Sequence, residues 1–367
     1  LREVLESDFT AELLVDAYRG ATRTLEGLPP VSWSLSFNGE ADIPSGGSMT
    51  VAAESTAGRS LVPVRVSDPL APFGQELNVS VRVSADAFSE VVRLGWFRIV
   101  SVPGTRDGAF DFAGRQVAPT SVVELTLLDR LVGVQRWGFP SEQSPPDLGS
   151  CWAEMQRLSG MQLDRSMPDR GIPSTVVYEA SKGGRLKGLQ ELAQVLGGVP
   201  FVTASGALSV APTAVGVPVG RLRSVGDRAT VLQLSSSMES EDVFNEVIGD
   251  FETPDRDPIH AEARLYEGAL SVLGPLGTNT KFLRASDFPY VTTQQQADDA
   301  VNAELRRAST VRTYRVKADC IINPLVEFGD TWELEMENGR VLTGRVVSVG
   351  FSDGFQMSVE LEVSGAV

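Results

Sequence analysis

Residues 98–102 read RIVSV and residues 345–349 read RVVSV. Five letters decide little alone, because alternating strands resemble one another. Their neighbours decide more. PFGQELNV (72–79) precedes the first copy and EFGDTWEL (327–334) precedes the second. VELTL (123–127) follows the first and VELEV (359–363) follows the second. Each set gives Phe-Gly, a strand, a VSV strand and a VEL strand in the same order, with longer loops in the first copy. Period-two alternation puts one face of each strand in a core. The valines of each VSV segment should point inward and the serine outward, so Val100 and Val347 should hold equivalent core positions. The reading is one β domain built twice.

Other stretches fit a β-rich frame. In ELNVSVRVS (76–84), Leu77, Val79, Val81 and Val83 alternate with polar residues. In WELEM (332–336), Trp332, Leu334 and Met336 share one face, and Glu333, Glu335 and Glu337 share the other. Asn338-Gly339 then predicts a hairpin turn, because both residues tolerate positive φ. The 35 glycines and 21 prolines punctuate such runs throughout.

Three stretches read as helix. In SCWAEMQRLSG (150–160), Trp152, Met155 and Leu158 recur at helical spacing and Gly160 supplies a stop. In GRLKGLQELAQVLGG (184–198), Leu186, Leu189, Leu192 and Val195 recur likewise, and Gly197-Gly198 end the helix. Two strands about a Ser205-Gly206 turn follow. In TTQQQADDAVNAELRRAS (292–309), Thr292 or Thr293 is the expected cap, with Gln295 or Gln296 as its box partner. Ala297, Ala300, Val301 and Leu305 form the apolar stripe, expected to pack on the C-terminal sheet. Asp298 and Asp299 lie early and Arg306 and Arg307 late, as the helix dipole favours. The expected fold class is β-rich α+β. A first β domain spans 1–138, with 213–228 available to complete it. A small α+β domain spans 139–212, inserted before a second β domain over 229–367 with its one packed helix.

Length, charge and composition narrow the function. A chain of 367 residues, 42% apolar, suits two or three domains with substantial cores. No apolar run approaches a membrane span, so no membrane insertion is expected. The start, LREVLESDFTAELL, lacks the basic and apolar regions of a signal peptide and begins without Met, so a trimmed chain is expected. A net charge of −16 argues against a surface that grips phosphate backbones. An acidic wall would instead repel passing DNA. Cys151 and Cys320 are too few for a disulfide framework or a metal cluster, and are expected to be buried free thiols.

Enzymatic motifs are missing. His260, the single histidine, stands in RDPIHAEARLYEG with no Ser or Cys nucleophile motif. Asp255 and Asp257 alternate in TPDRDP, without the third carboxylate and the glycine of a calcium loop. GGSM and GGRLKG lack the phosphate-loop pattern. No catalytic, cofactor or metal residue is assigned. With 48 acidic residues, paired carboxylates are always available, so a peptidoglycan hydrolase is the remote alternative. Trp33, Trp96, Trp137, Trp152 and Trp332 raise a cell-wall carbohydrate binder as the nearer one. Such a protein needs aromatic rings in one open groove.

Several passages resemble the baseplate hub, or minor tail, proteins of tailed bacteriophages. PFGQELNVSVRV with VRLGWFRIVSV is similar to a tail-protein strand element, carried here by Leu94, Gly95, Phe97 and Ile99. VELTLLDRL (123–131) looks like the strand that closes it. GLQELAQVLGGVPFVTASGALSVAP (188–212) looks like the small inserted domain of hub proteins. VFNEVIGDF (243–251), around Asn245, resembles the strand that opens the second barrel. INPLVEFGDTWEL (322–334) resembles a later strand entry, carried by Pro324, Leu325, Gly329 and Asp330. The likeness covers most of the chain by pattern, not by catalytic residues.

That resemblance implies two duplicated tail-tube-like β-barrel domains and a homotrimer. Three chains would form a pseudo-sixfold ring around a DNA channel at the tail tip of a virion, after synthesis in the bacterial host cytoplasm. It implies a distal tail or tail tube protein on one side, a tip fibre or spike protein on the other, and DNA passing without specific binding. It implies no enzyme and no cofactor. Long loops of the first barrel and the Gly/Ser segment 40–60 are candidate contacts, and unpaired strand edges should be completed across subunits. Glu239, Glu241, Asp242, Glu333, Glu335 and Glu337 are candidate lumen-facing or interface carboxylates.

Overall fold

The computed structural model describes the chain except residues 55–59, 107–109, 113–114, 118–121, 175, 239–242, 252–257, 269, 285–287, 289–290, 292, 309–313 and 364–367. It divides into two compact units, 1–234 with 317–361, and 235–316 with 362–367. The segment 229–367, expected as one body, is therefore shared between them.

The first unit opens with a short helix α1 (Arg2–Leu5) and the strands β1 (Thr10–Arg19), β2 (Thr22–Leu25), β3 (Pro30–Asn38) and β4 (Ser45–Ala52). Then come β5 (Gln75–Ala85), the long β6 (Phe88–Arg106), a small hairpin of β7 (Phe110–Phe112) and β8 (Arg115–Val117), and β9 (Val122–Asp129). The alternation read in β5 is real: Leu77, Val79, Val81 and Val83 are fully buried. Strand β5 pairs with β6, and β6 with β9, each antiparallel, so the first Phe-Gly, VSV and VEL blocks form a three-stranded meander.

Three helices follow, α2 (Leu131–Arg136), α3 (Cys151–Ser159) and α4 (Gly184–Leu196). The hairpin of β10 (Gly198–Val202) and β11 (Leu208–Pro212) closes this α+β portion. Its core gathers Trp152, Met155, Leu158, Tyr178, Leu189 and Leu192. Ser150 caps α3 by accepting from the Ala153 amide at 3.0 Å, and Gly160 ends it in the left-handed conformation. Gly197 ends α4 the same way. Cys151 lies in this core and Cys320 in the main sheet, both free and buried.

The chain then adds β12 (Gly220–Arg223) and β13 (Val231–Met238). The second unit holds β14 (Glu246–Asp250), β15 (His260–Arg264), β16 (Thr280–Arg284) and helix α5 (Gln294–Ala308). Here β14 is central, antiparallel to β15 and parallel to β16. The stripe Ala297, Ala300, Val301 and Leu305 packs on Val247, Ala261 and Leu283 of this sheet. The helix thus covers its own three-stranded sheet, not the C-terminal strands. The capping box forms at Thr293: its hydroxyl accepts from the Gln296 amide, and its amide donates to Gln296 Oε1 at 3.2 Å. The alternative cap, Thr292, lies outside the described residues.

The last strands are β17 (Tyr314–Ile321), β18 (Thr331–Glu335), β19 (Val341–Ser352) and β20 (Gln356–Val363). They join the first strands in one 13-stranded sheet, ordered β13-β17-β20-β19-β3-β4-β9-β6-β5-β1-β2, with β12 and β18 attached at β19. The second blocks therefore also form a meander, β18-β19-β20. In both meanders the alternation breaks at the matching place, and β6 shifts register a second time between Ser101 and Gly104. In β6, Ile99 faces Leu127 and Ser101 faces Thr126, which leaves Val100 as the extra residue of a bulge. In β19, inward positions run Leu342, Gly344 and Val346, then shift to Val347, Val349 and Phe351.

The two copies differ in burial. Val347 and Val349 are buried, whereas Val100 and Val102 are half-buried. The cause is lateral. Strand β3 lies along β19 from Ser348 to Ser352. Beyond Arg98, β6 has β9 on one side and no strand among the described residues on the other. The turn after β18 also differs from expectation. Only Gly339 has positive φ, and Met336 donates to the Arg340 carbonyl at 2.9 Å, so a three-residue loop joins the strands.

Gly329 and Gly339 separate backbone strain from crowding. Both have left-handed φ, but a Cβ at Gly329 would lie 2.5 Å from that of Ala211, while one at Gly339 meets nothing within 4 Å. Gly339→Ala should cost about 1–2 kcal/mol. Gly329→Ala should cost roughly 1–3 kcal/mol more through overpacking. Urea unfolding of the two variants measures the difference.

Candidate functional site

The polar face of the main sheet carries a row of hydroxyls. Thr126 of β9 faces Ser48 of β4, Ser48 faces Ser34 of β3, and Ser34 faces Ser352 of β19. The Ser34 and Ser48 hydroxyls are 3.2 Å apart. Each strand alternates these residues with core ones, as in Ser34, Leu35, Ser36 and Phe37, so the row faces away from the core. Four adjacent strands therefore present short, neutral hydroxyl side chains side by side. Such a wall offers no fixed positive charge to a phosphate backbone. The sequence signal was SWSLSF (32–37), but only cross-strand register turns scattered serines into a row.

The carboxylates chosen from sequence sit elsewhere. Glu333 and Glu335 lie on β18, which runs parallel to β12. Arg221 of β12 reaches Glu333 at 2.7 Å and Glu335 at 3.8 Å, and Arg223 reaches Glu335 at 3.5 Å. Arg223 also binds Glu6 at 2.8 Å, which Arg228 approaches at 3.2 Å. These partly exposed pairs are each worth under about 1 kcal/mol, yet they largely match the negative charge. Glu337 is exposed in the following turn. Glu239, Glu241 and Asp242 lie outside the described residues, as do Asp255 and Asp257. His260 Nδ1 sits 2.6 Å from Asp250 Oδ1.

The six family-pattern residues act locally. Gly95 gives room to the buried Phe97, whose ring a Cβ would approach to 3.0 Å. Buried Asn245 donates to the carbonyls of Leu270 and Gly277 at 3.0 and 2.7 Å and accepts from the Asn279 amide at 2.8 Å, which fixes the loop between β15 and β16. Pro324 lies buried before the Phe328-Gly329 turn. Gly329 and Asp330 join that turn to β19: the Gly329 amide donates to the Val346 carbonyl at 3.0 Å, and the Val346 amide to the Asp330 carbonyl at 2.8 Å. Burial pushes the Asp330 carboxyl above its ordinary range.

Two features were not anticipated. The first is an ionic clamp on Glu76, whose side chain is only 9% exposed. Arg130 Nη2 reaches its carboxylate at 2.7 Å and Arg98 Nε at 3.1 Å. Arg130 also donates to the Gly206 carbonyl at 3.0 Å and lies 4.7 Å above the Trp96 ring. One guanidinium thus ties the β10–β11 turn to the main sheet. The second is Asp129, at the end of β9. It accepts from the Leu131 amide at 2.8 Å and the Ser45 amide at 3.1 Å. Burial outweighs both bonds and pushes its carboxyl up to about 7.

A tail protein of Neisseria meningitidis MC58 superposes with a TM-score of 0.60 at 12% identity, over 96% of this chain and 97% of that one. This is a phage tail-protein fold. The 43 kDa tail protein of prophage MuSo2 from Shewanella oneidensis gives 0.59 at 11% identity, over 95% and 98% of the two chains. A prophage tail protein of Listeria monocytogenes EGD-e gives 0.50 at 11% identity, over 95% and 94%. No family model and no curated protein sequence matches the chain. The tail-protein fold therefore extends over nearly the whole chain, although sequence identity has fallen to a level that carries fold alone.

Asp129 sets a pH dependence on this fold. An unfolded aspartate titrates near about 4, so between pH 4 and 7 the folded chain holds an extra proton, and stability falls as pH rises by about 1.4 kcal/mol per unit. Asp129→Asn should remove that slope. Relative to the parent, the variant should gain roughly 2–3 kcal/mol between pH 5 and pH 7 in urea unfolding.

Proposed function

We propose that this chain is a structural, non-enzymatic hub protein of a phage tail tip, acting within the virion. Three copies form a pseudo-sixfold ring around the DNA channel. The ring joins the tail tube or distal tail protein to a fibre or spike protein. The observation that carries this reading is the recurrence of a three-stranded meander whose alternation breaks at the matching place. A chain holding two similar β domains lets three subunits present six similar faces, as needed where a sixfold tube meets a threefold tip. The tail-protein fold supports the same reading.

The hydroxyl row suits a channel wall. DNA passing a neutral, hydroxyl-bearing surface on an acidic protein finds no counter-ion cluster to hold it. The carbohydrate-binding alternative draws no support from the tryptophans. Trp33, Trp152 and Trp332 are buried in cores. Trp96 lies beneath Arg130, and Trp137, although 52% exposed, has Arg185 over its ring at 3.6 Å.

Two measurements test the reading. Native mass of the purified chain should reach three times the 39.4 kDa protomer. A stable monomer, in isolation and in assembled tails alike, overturns the hub. Particles carrying Ser34→Lys with Ser48→Lys should assemble normally but eject DNA more slowly, most visibly at low salt. Unchanged ejection removes the hydroxyl face from the channel.

A further inference from the structure

The two meanders are alike in strand order and unlike in what borders them. In the second, β19 continues past the end of β18, and the continuing edge is filled. Residues Ser348–Ser352 pair with Ser34–Asn38 of β3, and the Gly39 amide donates to the Val347 carbonyl at 3.2 Å. The same junction buries Phe328. A Cβ on Gly39 would lie 2.4 Å from its ring, and Phe201 meets it edge-on at 5.8 Å.

In the first meander the matching edge is open. RIVSV against RVVSV equates Ser101–Thr105 with Ser348–Ser352. Strand β5 ends opposite Arg98, and beyond it this edge of β6 meets no strand among the described residues. In β19 the Val347 carbonyl faces β3, and alternate residues present their backbone groups to one edge, so Val100 and Val102 present theirs to the open one before β6 shifts register again between Ser101 and Gly104. The equivalent of Phe328 is Phe73, and it is 60% exposed.

Phe73 is held out by a built loop. Asp68 accepts from the amides of Val64 and Arg65 at 2.7 and 2.6 Å. The buried Gln75 side chain donates to the carbonyls of Val66 and Asp68 at 2.9 and 2.7 Å and accepts from the Phe73 amide at 3.1 Å. Leu70 and Ala71 anchor the loop in the core. It displays the apolar Val64, Val66 and Phe73, with Arg65 and Ser67 exposed beside them. Fixed backbone and exposed apolar side chains suit a contact formed with little ordering cost.

The occupant follows from the internal repeat. Within the filled junction the partner strand is β3, which leads through β4 into the closing strand β9 of the first meander. The strand in the corresponding place of the second half is β13, which leads through β17 to β20. It lies at the end of the sheet, bonded on one side only among the described residues, with Leu232 and Gln233 exposed. We infer that β13 of a second copy of this chain pairs with the Ser101–Thr105 edge of β6, and that Phe73 seats against that copy as Phe328 seats within its own chain. The contact joins unlike surfaces, so it repeats around a ring.

This inference rests on the hub reading for its ring and is separable from it. In a cysteine pair, Ser101→Cys with Gln233→Cys, a short bis-maleimide should link chains into a covalent ladder that stops at three. Either single variant should give no ladder beyond background. Phe73→Asp, which alters an exposed side chain and keeps the Gln75 and Asp68 bonds, should leave the circular dichroism spectrum unchanged and abolish the trimer at concentrations where the parent is fully assembled. A ladder that runs past three keeps the junction and overturns threefold closure. A parent trimer that resists Phe73→Asp and gives no ladder keeps the hub and overturns this junction. A parent that stays monomeric and gives no ladder overturns both.

Discussion

Five residue pairs between β3 and β19 hold the main sheet together as one surface. On one side stand the strands of the first meander, on the other those of the second. Without that pairing the chain would present two separate sheets, each with a bare edge. Backbone hydrogen bonding supplies the join, so it makes few demands on side chains at the seam. On the polar face of the seam the residues are small, Ser34 and Ser36 against Ser352 and Gly350. On its core face Val349 lies against Phe37 and Phe351 against Leu35, and Phe37 meets Phe97 and Phe351 edge to face at 6.1 and 6.2 Å.

The α+β portion of the first unit depends on a second, more localised constraint. Its own core is complete around Trp152 and Tyr178. Its attachment to the sheet uses Arg130, whose guanidinium is shared among a buried carboxylate, a carbonyl and an indole face. A planar group with several donors can satisfy all three at once; a lysine could not. Gly206 is required in the same place, because a Cβ there would lie 2.4 Å from Arg130 Nη1.

Much of this fold was legible in the sequence wherever the signal was local. The alternation in β5, the glycine stops of α3 and α4 and the capping box at Thr293 each depend on residues a few positions apart. The strand order of the two meanders was legible because three blocks recurred in sequence. Relations across the chain were not. Nothing near WELEM indicates that Arg221 and Arg223 will lie beside its glutamates, since β12 is more than 100 residues upstream. The hydroxyl row depends on the register of four strands, and composition cannot supply register. The C-terminal strands looked like a separate body because their pattern is self-contained; their place in the main sheet is set by β3, at the far end of the chain.

That placement bears on how the chain comes to be folded. Strand β3 emerges early in synthesis, and its partner β19 follows about 310 residues later. Through that interval β3 can pair with β4, but its other edge has no native strand to meet. Contacts of such sequence separation form slowly, and an open edge meanwhile invites pairing with neighbouring chains. The alternating serines of β3 leave that waiting edge hydrated on one face, so the residues that give the finished sheet a neutral polar face also protect the nascent one from aggregation.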